Sequence, residues 1–459
     1  MTLLAAFLDI VGDWRAVFPQ QRTFQRGVRQ ALGSLVCLGR RCLTRIIWTW
    51  GGQNRSWSGE YFLHARCRWE AQELFAPIVR RALQYCPGRL VGVAADDTRL
   101  SKTGPCIQQA FYQRDPLSPP FHLNIRHGLR FLQCSLLVPG FRSARVGARA
   151  LPIRFEEVSC VKKPGRRGTP EDWQAYKAAA RQYNLSQRFA TTLGHLRRAL
   201  DRAGGRNKIL IVTGDGSFCN RTCLRAPRER TELVLRARKD AVLCLHAAPG
   251  SRRFYAAEKF TPEQIRKDDS YPWKTTKLFY GGKYRKVRYK EVTGVYWQSG
   301  GGQIELRLIV VAPTPYRKRK SSKLYYRQPA YLLTTDLKDP AKQLLQIYFD
   351  RWQIEVNHRE EKDTLGVGQA QLWNVNSVPK QPVLSAAAYS ALLLASLQAF
   401  GAERGAAYAV LPKWRRHAPR PSCLDLITLL RKEMVDHPEL LSGYGFPISD
   451  RGLVSAAAA

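Results

Sequence analysis

Two short apolar runs, each ending in acid, constrain this chain most. Leu90–Ala95 leads into Asp96-Asp97-Thr98, and Ile209-Leu210-Ile211-Val212 leads through Thr213 into Gly214-Asp215-Gly216. Short apolar runs closed by turn formers suit strands buried on both faces. Leu129–Val138 and Ala150–Val158 are further strand candidates, followed by a basic loop, Lys162-Lys163-Pro164-Gly165-Arg166-Arg167. A helix then starts at Thr169, with a capping hydroxyl, Pro170 at its first position and acids Glu171 and Asp172 in its first turn. It is expected to run to Ala203 and stop at Gly204-Gly205. The order of three strands, helix, strand puts acids at the ends of the first and fourth strands, with Leu233–Ala237 as a fifth. That order belongs to the α/β class.

The rest divides around this core. Residues 1–88 are expected to form a helical domain, with short helices at Arg29–Cys37 and Arg40–Trp48 around Gly39. In a helix-turn-helix, Arg40, Arg41, Thr44 and Arg45 would lie on the second helix, facing DNA. A plain helical bundle with a solvated basic face is the alternative. Residues 89–240 hold the first part of the core. Residues 241–329, rich in Tyr, Gly, Lys and Arg, alternate like strands in Lys283–Val295 and Ile304–Val311 and suggest a β-rich insertion. The core resumes over 330–400 with Tyr331-Leu332-Leu333, a helix from Pro340 to Leu365 and a hydrophobic helix over 383–400. Residues 401–459 form a helical C-terminal region with a basic patch (Lys413, Arg415, Arg416, Arg420).

Charge decides the class of partner. The 459 residues carry 74 Lys and Arg against 36 Asp and Glu, a net of +38, which disfavours a small-metabolite enzyme and points to a polyanion, nucleic acid first. No membrane partner is expected. Leu3–Val17 carries Asp9 and Asp13 and lacks the basic start of a signal peptide. Val383–Phe400 is interrupted by Ser385, Ser390, Ser396 and Gln398 and suits a buried core helix. Eleven scattered cysteines without a C-x-x-C pair suit reduced, buried thiols and a cytoplasmic location.

The segment Tyr348-Phe-Asp-Arg351-Trp-Gln-Ile-Glu355-Val-Asn-His-Arg-Glu-Glu-Lys362 is the most informative. At about 100° per residue, Tyr348, Arg351, Glu355 and Lys362 fall within roughly 60° of arc on one helix face. An apolar stripe of Leu345, Phe349, Trp352 and Val356 runs beside them. A lone helix of this kind would be an ordinary charged surface. Here its carboxylate joins strand-terminal acids from two other elements. Three acids suit oxygen-ligated Mg2+, and phosphoryl transfer is served by two such ions.

These residues carry a resemblance. The chain resembles the DDE transposases of bacterial insertion sequences, in the cut-and-paste group with a Y-(2)-R-(3)-E-(6)-K signature, matched by Tyr348, Arg351, Glu355 and Lys362. Asp96-Asp97-Thr98 is similar to the group's first-acid motif, Asp215 to its second, and the resemblance spans residues 90–370. It implies an RNase H-like core with a β-rich insertion before the last catalytic helix. It implies metal-dependent hydrolysis at transposon ends and attack of the freed 3′-hydroxyl on target DNA. It gives the ligand and catalytic roles to Asp97, Asp215 and Glu355, with two Mg2+ ions for which Mn2+ substitutes. Asp97 is preferred to Asp96 because the family's ligand directly precedes the threonine, and alternation lets just one of the two face the site. Tyr348, Arg351 and Lys362 take the role of gripping the transposon-end backbone, and paired ends imply a homodimer on double-stranded DNA. The long arginine-rich stretch after Asp215 departs from the family pattern, and residues 1–88 match nothing in it. A catalytically inactive DNA-binding descendant and a nuclease without joining activity are the alternatives.

Two further clusters suit DNA contact. Lys283, Arg285, Lys286, Arg288 and Lys290 alternate with Tyr284 and Tyr289. Arg317, Lys318, Arg319 and Lys320 lie in a segment that also holds Tyr316, Tyr325 and Tyr326 and has no acid. Such interleaving suits backbone tracking with base stacking. The resemblance adds Tyr331, at the place of an aromatic that can hold a flipped base, with Trp297 as its rival.

Overall fold

The structure, a computed structural model, describes residues 1–115, 118–119, 121–319, 321–415 and 417–447. In chain order, helices α1 (Leu3–Gly12), α2 (Gln21–Val36), α3 (Leu43–Thr49), α4 (Ser58–Ala65) and α5 (Phe75–Leu83) precede four strands, β1 (Leu90–Ser101), β2 (Phe111–Arg114), β3 (Ile125–Val138) and β4 (Arg149–Glu157). Then come α6 (Pro170–Gln182), α7 (Leu185–Arg202), β5 (Ile209–Gly214), α8 (Arg221–Leu224), β6 (Thr231–Arg236) and α9 (Pro262–Lys267). Strands β7 (Lys274–Tyr280), β8 (Lys283–Val295), β9 (Leu306–Val311), β10 (Pro315–Tyr316), β11 (Tyr325–Tyr326) and β12 (Ala330–Thr334) follow. Helices α10 (Ala341–Asp350), α11 (Gln353–Arg359), α12 (Ser377–Phe400) and α13 (Cys423–Asp436) complete the chain.

The chain is mixed α/β, built on one ten-stranded sheet in the order β2-β3-β1-β5-β6-β12-β9-β8-β7, with β4 also paired to β3. Strand β1 runs antiparallel to β3 and parallel to β5, and β5 runs parallel to β6. The predicted strands and their order are therefore present. The helix expected over 169–203 is two helices. Thr169 caps the first in a reciprocal box with Asp172, and Asn184 recaps the second through Gln187 N.

The expected domain divisions do not separate cores. Strand β12 pairs with β6 on one side and β9 on the other, so the 241–329 segment extends the central sheet. Leu3, Phe7 and Trp14 of the N-terminal helices share one apolar core with Phe131 and Phe155 of the sheet, Tyr389 and Leu393 of α12, and Leu430 of α13. The hydrophobic stretch is the long helix α12, which has the length and composition of a membrane span, yet 83% of its most apolar window is buried in protein. A smaller core lies on the sheet's opposite face, where Ile211, Val234 and Leu332 pack beneath Leu344 and Leu345 of α10. All eleven cysteines are free thiols, seven of them buried.

Candidate active site

Strand alternation decides which acid faces the signature helix. Strand β1 does not stop before its acids but runs through them to Ser101. Its even positions turn toward α10 and α11. A Cβ at Gly92 would meet the Ile347 side chain at 3.0 Å, and Ala94 packs with Ile354 and Ile347. Asp96 continues that face, with its carboxylate 3.9 Å from an Arg351 guanidinium nitrogen. Asp97 points the other way, where Arg130 Nε on β3 donates to its Oδ2 at 2.7 Å. Asp96, and not the expected Asp97, is therefore the acid turned toward the signature segment. The alternation rule holds, but the residue beside the threonine is the one turned away.

The second and third acids meet Asp96 from neighbouring elements. The parallel register sets Ala94 opposite Thr213, which brings Asp215 level with Asp96. Glu355, on α11, stands 3.5 Å from Arg351, so one guanidinium lies against both Asp96 and Glu355. Burial pushes the Asp96 carboxyl up to about 7; the Asp215 charge adds to this and Arg351 opposes it. Glu355 is raised by burial, opposed by Arg351 and raised further by Asp215. Burial also raises Tyr348, which feels Arg351, Asp215 and Glu355.

Among the described residues no three His, Cys, Asp or Glu side chains are grouped to hold a metal ion. The three carboxylates are electrostatic neighbours and do not form a closed cage. Their chemistry nonetheless fits a hard cation: all donors are oxygen, and Asp215 disfavours ionisation of the other two. The buried hydroxyls of Thr98 and Thr213, on the same side of the sheet as Asp96, have no hydrogen-bond partner among the described residues.

The signature segment is not one continuous helix. Helix α10 ends at Asp350, Arg351 and Trp352 form a turn, α11 follows, and Glu360–Thr364 is a π turn closed by Leu365 N to Glu360 O at 2.9 Å. Such turns often mark functional sites. The signature side chains still gather. Arg351 Cζ lies 6.0 Å from the Tyr348 ring centroid, and Lys362, lowered by burial, feels the charge of Asp96. The expected apolar stripe buries Leu345 but leaves Trp352 53% exposed.

Polar residues that sequence reasoning missed hold the π turn from below. Tyr389 on α12 donates to Glu360, Arg149 Nη2 reaches Glu360 at 3.2 Å, and Asn357 Nδ2 donates to Ala150 O at 3.1 Å. His358 is part-buried, its Nε2 is buried without a hydrogen-bond partner among the described residues, and burial pushes the ring down to about 3. No local pattern announces these residues, because their partners come from distant strands and α12.

Glu361 beside them is buried, and burial pushes its carboxyl up to about 8. The folded chain therefore keeps a proton that the unfolded chain releases above its ordinary range near 4.5. Stability from this group is full below that range and is lost as pH rises through about 8. Glu361→Gln should accordingly gain thermal stability over wild type as pH rises from 5 to 9, with a minimal difference at pH 5. A difference independent of pH in melting scans would exclude this account.

The outlying DNA candidates divide. Lys286 and Arg288 are exposed on β8. Lys290 is not; its buried ammonium donates to the carbonyls of Ile265, Arg266 and Asp268 at the end of α9. Arg317, Lys318 and Arg319 sit at the tip of the β10–β11 hairpin, with Lys318 5.3 Å from the Tyr325 ring and Tyr326 exposed. Lys320 and Arg416 lie outside the described residues. Tyr331 is 5% exposed and its hydroxyl is held by Glu263, so the expected DNA contact is corrected: this tyrosine is a core residue of β12. Trp297 packs partly buried against the same core. Helix α2 begins at Gln21, well before Arg29, and α3 begins only at Leu43. Thr44 and Arg45 therefore lie on α3, while Arg40 and Arg41 lie in the preceding turn. Arg41 N donates to Gln369 just past the π turn, and Arg40 and Arg45 are exposed.

Neither a scan against protein-family models nor a search of the curated proteins finds a match for this chain.

Proposed function

We propose that this chain is a DNA transposase of the DDE type, which cleaves transposon ends and joins their 3′ ends to target DNA. The observation that carries it is the meeting of Asp96, Asp215 and Glu355 from β1, β5 and α11, with Tyr348, Arg351 and Lys362 around them. A chain of net charge +38 that gathers carboxylates at one place has arranged an exception to its own field. The antiparallel β4-β3-β1 meander followed by parallel β5 and β6 supports an RNase H-like core.

Asp96, Asp215 and Glu355 are the residues to hold two Mg2+ ions, or Mn2+ in their place. When bound, such ions supply the charge that activates an attacking oxygen and stabilises the leaving one. The chain's own part is positioning. Arg351 balances Asp96 and Glu355 in the absence of substrate and is placed, with Lys362, to take a phosphate as DNA arrives. The proposed setting is cytoplasmic, on nucleoid DNA, with two copies pairing two ends.

The deciding experiment supplies pre-cut ends with a free 3′-hydroxyl, a plasmid target and Mg2+. Joined product supports a transposase, cutting of intact ends without joining would make the chain a nuclease, and binding alone would make it a DNA-binding descendant.

Binding should also fall steeply with salt. Six to ten phosphate contacts imply a loss on the order of 10³–10⁵ in affinity between 50 and 200 mM salt. Replacing Arg317, Lys318 and Arg319 together by alanine should flatten that dependence and leave cleavage at saturating DNA in place. An unchanged slope in filter-binding titrations would remove the hairpin from the DNA interface.

A further inference from the structure

We propose that the cleft on the other flank of α11 holds the phosphate backbone of the target duplex, separately from the transposon end at Tyr348, Arg351 and Lys362. The inference rests on the proposed transposase function and deepens it by assigning the second DNA its own surface. The cleft of about 590 Å³ is walled by Trp352, Gln353 and Arg359 of the signature segment and by Arg145 before β4. The β7–β8 hairpin tip and the segment leading to α13, with Arg415 and Arg420, complete it.

Its charge is not neutralised from within. The carboxylate on its wall, Asp350, is taken by Arg142 and by Gln346 Nε2 at 3.1 Å. Arg415 is 3.4 Å from Asp425, which Arg404 holds more closely at 2.7 Å. Neither Arg145 nor Arg359 makes a side-chain hydrogen bond or ion pair among the described residues. Arg420 is pushed down to about 10, first by burial and then by Arg149, whose ion-pair partner Glu360 is shared with Tyr389. Arg145 and Arg359 are exposed and Arg420 is part-buried, and cations gathered without matching carboxylates attract an anion from outside.

The chemistry suits a backbone more than a base sequence. Arginines grip phosphates in two places, and an exposed indole offers a stacking face that every base can use. Gln353, the amide most able to read a base edge, already accepts from Arg420 at 3.2 Å. Gly281 and Gly282 at the hairpin tip, with φ of 58° and 80°, put no side chain across the opening. A site of this kind accepts DNA regardless of sequence, as a target must be accepted. It also adjoins the Glu355 flank, where the joining reaction would occur.

The test uses the full chain with Arg145→Glu and Arg359→Glu combined, neither of them a proposed metal ligand or one of the residues proposed to grip the transposon end. Cleavage of intact ends should stay within about twofold of wild type. Joining of pre-cut ends should fall on the order of tenfold at low target concentration and recover at high target concentration or low salt, as expected when phosphate contacts are lost. A photo-crosslinking phenylalanine analogue in place of Trp352 should label the target strand. The proposal is overturned if joining is unchanged, if cleavage and joining fall together, or if the crosslink forms on the transposon end or its flank. If wild type neither cleaves nor joins, the transposase function itself fails. The crosslink to plain duplex then decides: its absence removes the cleft as a DNA site, and a salt-sensitive crosslink retains it.

Discussion

Asp96→Asn should abolish DNA cleavage in Mg2+, whereas Asp97→Asn should leave it within a few-fold of wild type. Both substitutions keep size and remove one charge, so the contrast reports direction alone. Asp96 lies on the α11 side of β1, within reach of Arg351 and of the Asp215 charge. Losing one carboxylate from a hard-cation site forfeits several kcal/mol of transition-state stabilisation, about a thousandfold or more in rate. Asp97 is tied to Arg130 on the opposite side. Removing that part-exposed pair should cost about 1 kcal/mol of stability or less, seen as a small drop in melting temperature. Single-turnover cleavage of a labelled end, scored beside the melting temperature of each variant, separates the two effects. An inactive Asp97→Asn beside an active Asp96→Asn would reverse the assignment and return the first acid to the position before the threonine.

That contrast also shows how much of the site was legible in the sequence. Apolar runs and caps located the strands and helix starts, because burial on both faces and N-capping are local demands that local residue types satisfy. Thr169 with Asp172 is such a case. The spacing of Tyr348, Arg351, Glu355 and Lys362 likewise identified a set of side chains that the fold gathers. Less legible was anything fixed by a distant partner. Strand β1 continues past Asp97 because β3 pairs with it as far as Ser101, and this pairing sets the acids alternating within a strand. The break at Arg351-Trp352 and the π turn at Glu360 depend on Arg142, Arg149 and Tyr389, hundreds of residues away or on another helix. Lys290 and Tyr331 were misjudged for the same reason. Each has a surface-type polar group whose partner is supplied by tertiary packing against α9, Glu263 in its first turn for Tyr331 and the carbonyls at its end for Lys290.

Glu355→Gln against Arg351→Ala and Lys362→Ala should separate chemistry from grip within the signature segment. Glu355→Gln keeps the shape of the side chain but not the charge that a hard cation requires. Cleavage should fall to background with Mg2+. End binding should be retained or tightened, since one repulsion with phosphate disappears. Lys362→Ala removes a cation that stands near Asp96 without being a metal donor. Its cleavage should be reduced and should recover as DNA concentration rises. Arg351→Ala should be the more severe of the two, for a reason the structure adds. This guanidinium lies against both Asp96 and Glu355 and holds both carboxyls lower than burial alone would. Its loss should raise both carboxyls, so the variant should lose more activity at pH 6.5 than at pH 8.5, while Lys362→Ala should show a smaller pH effect. Saturating DNA should therefore rescue Lys362→Ala at either pH and Arg351→Ala chiefly at the higher one. Near wild-type cleavage by Glu355→Gln would mean that Glu355 holds no metal. The gathered Tyr348, Arg351, Glu355 and Lys362 would then be a charged surface packed on the sheet, and the proposed chemistry would lose its central residue.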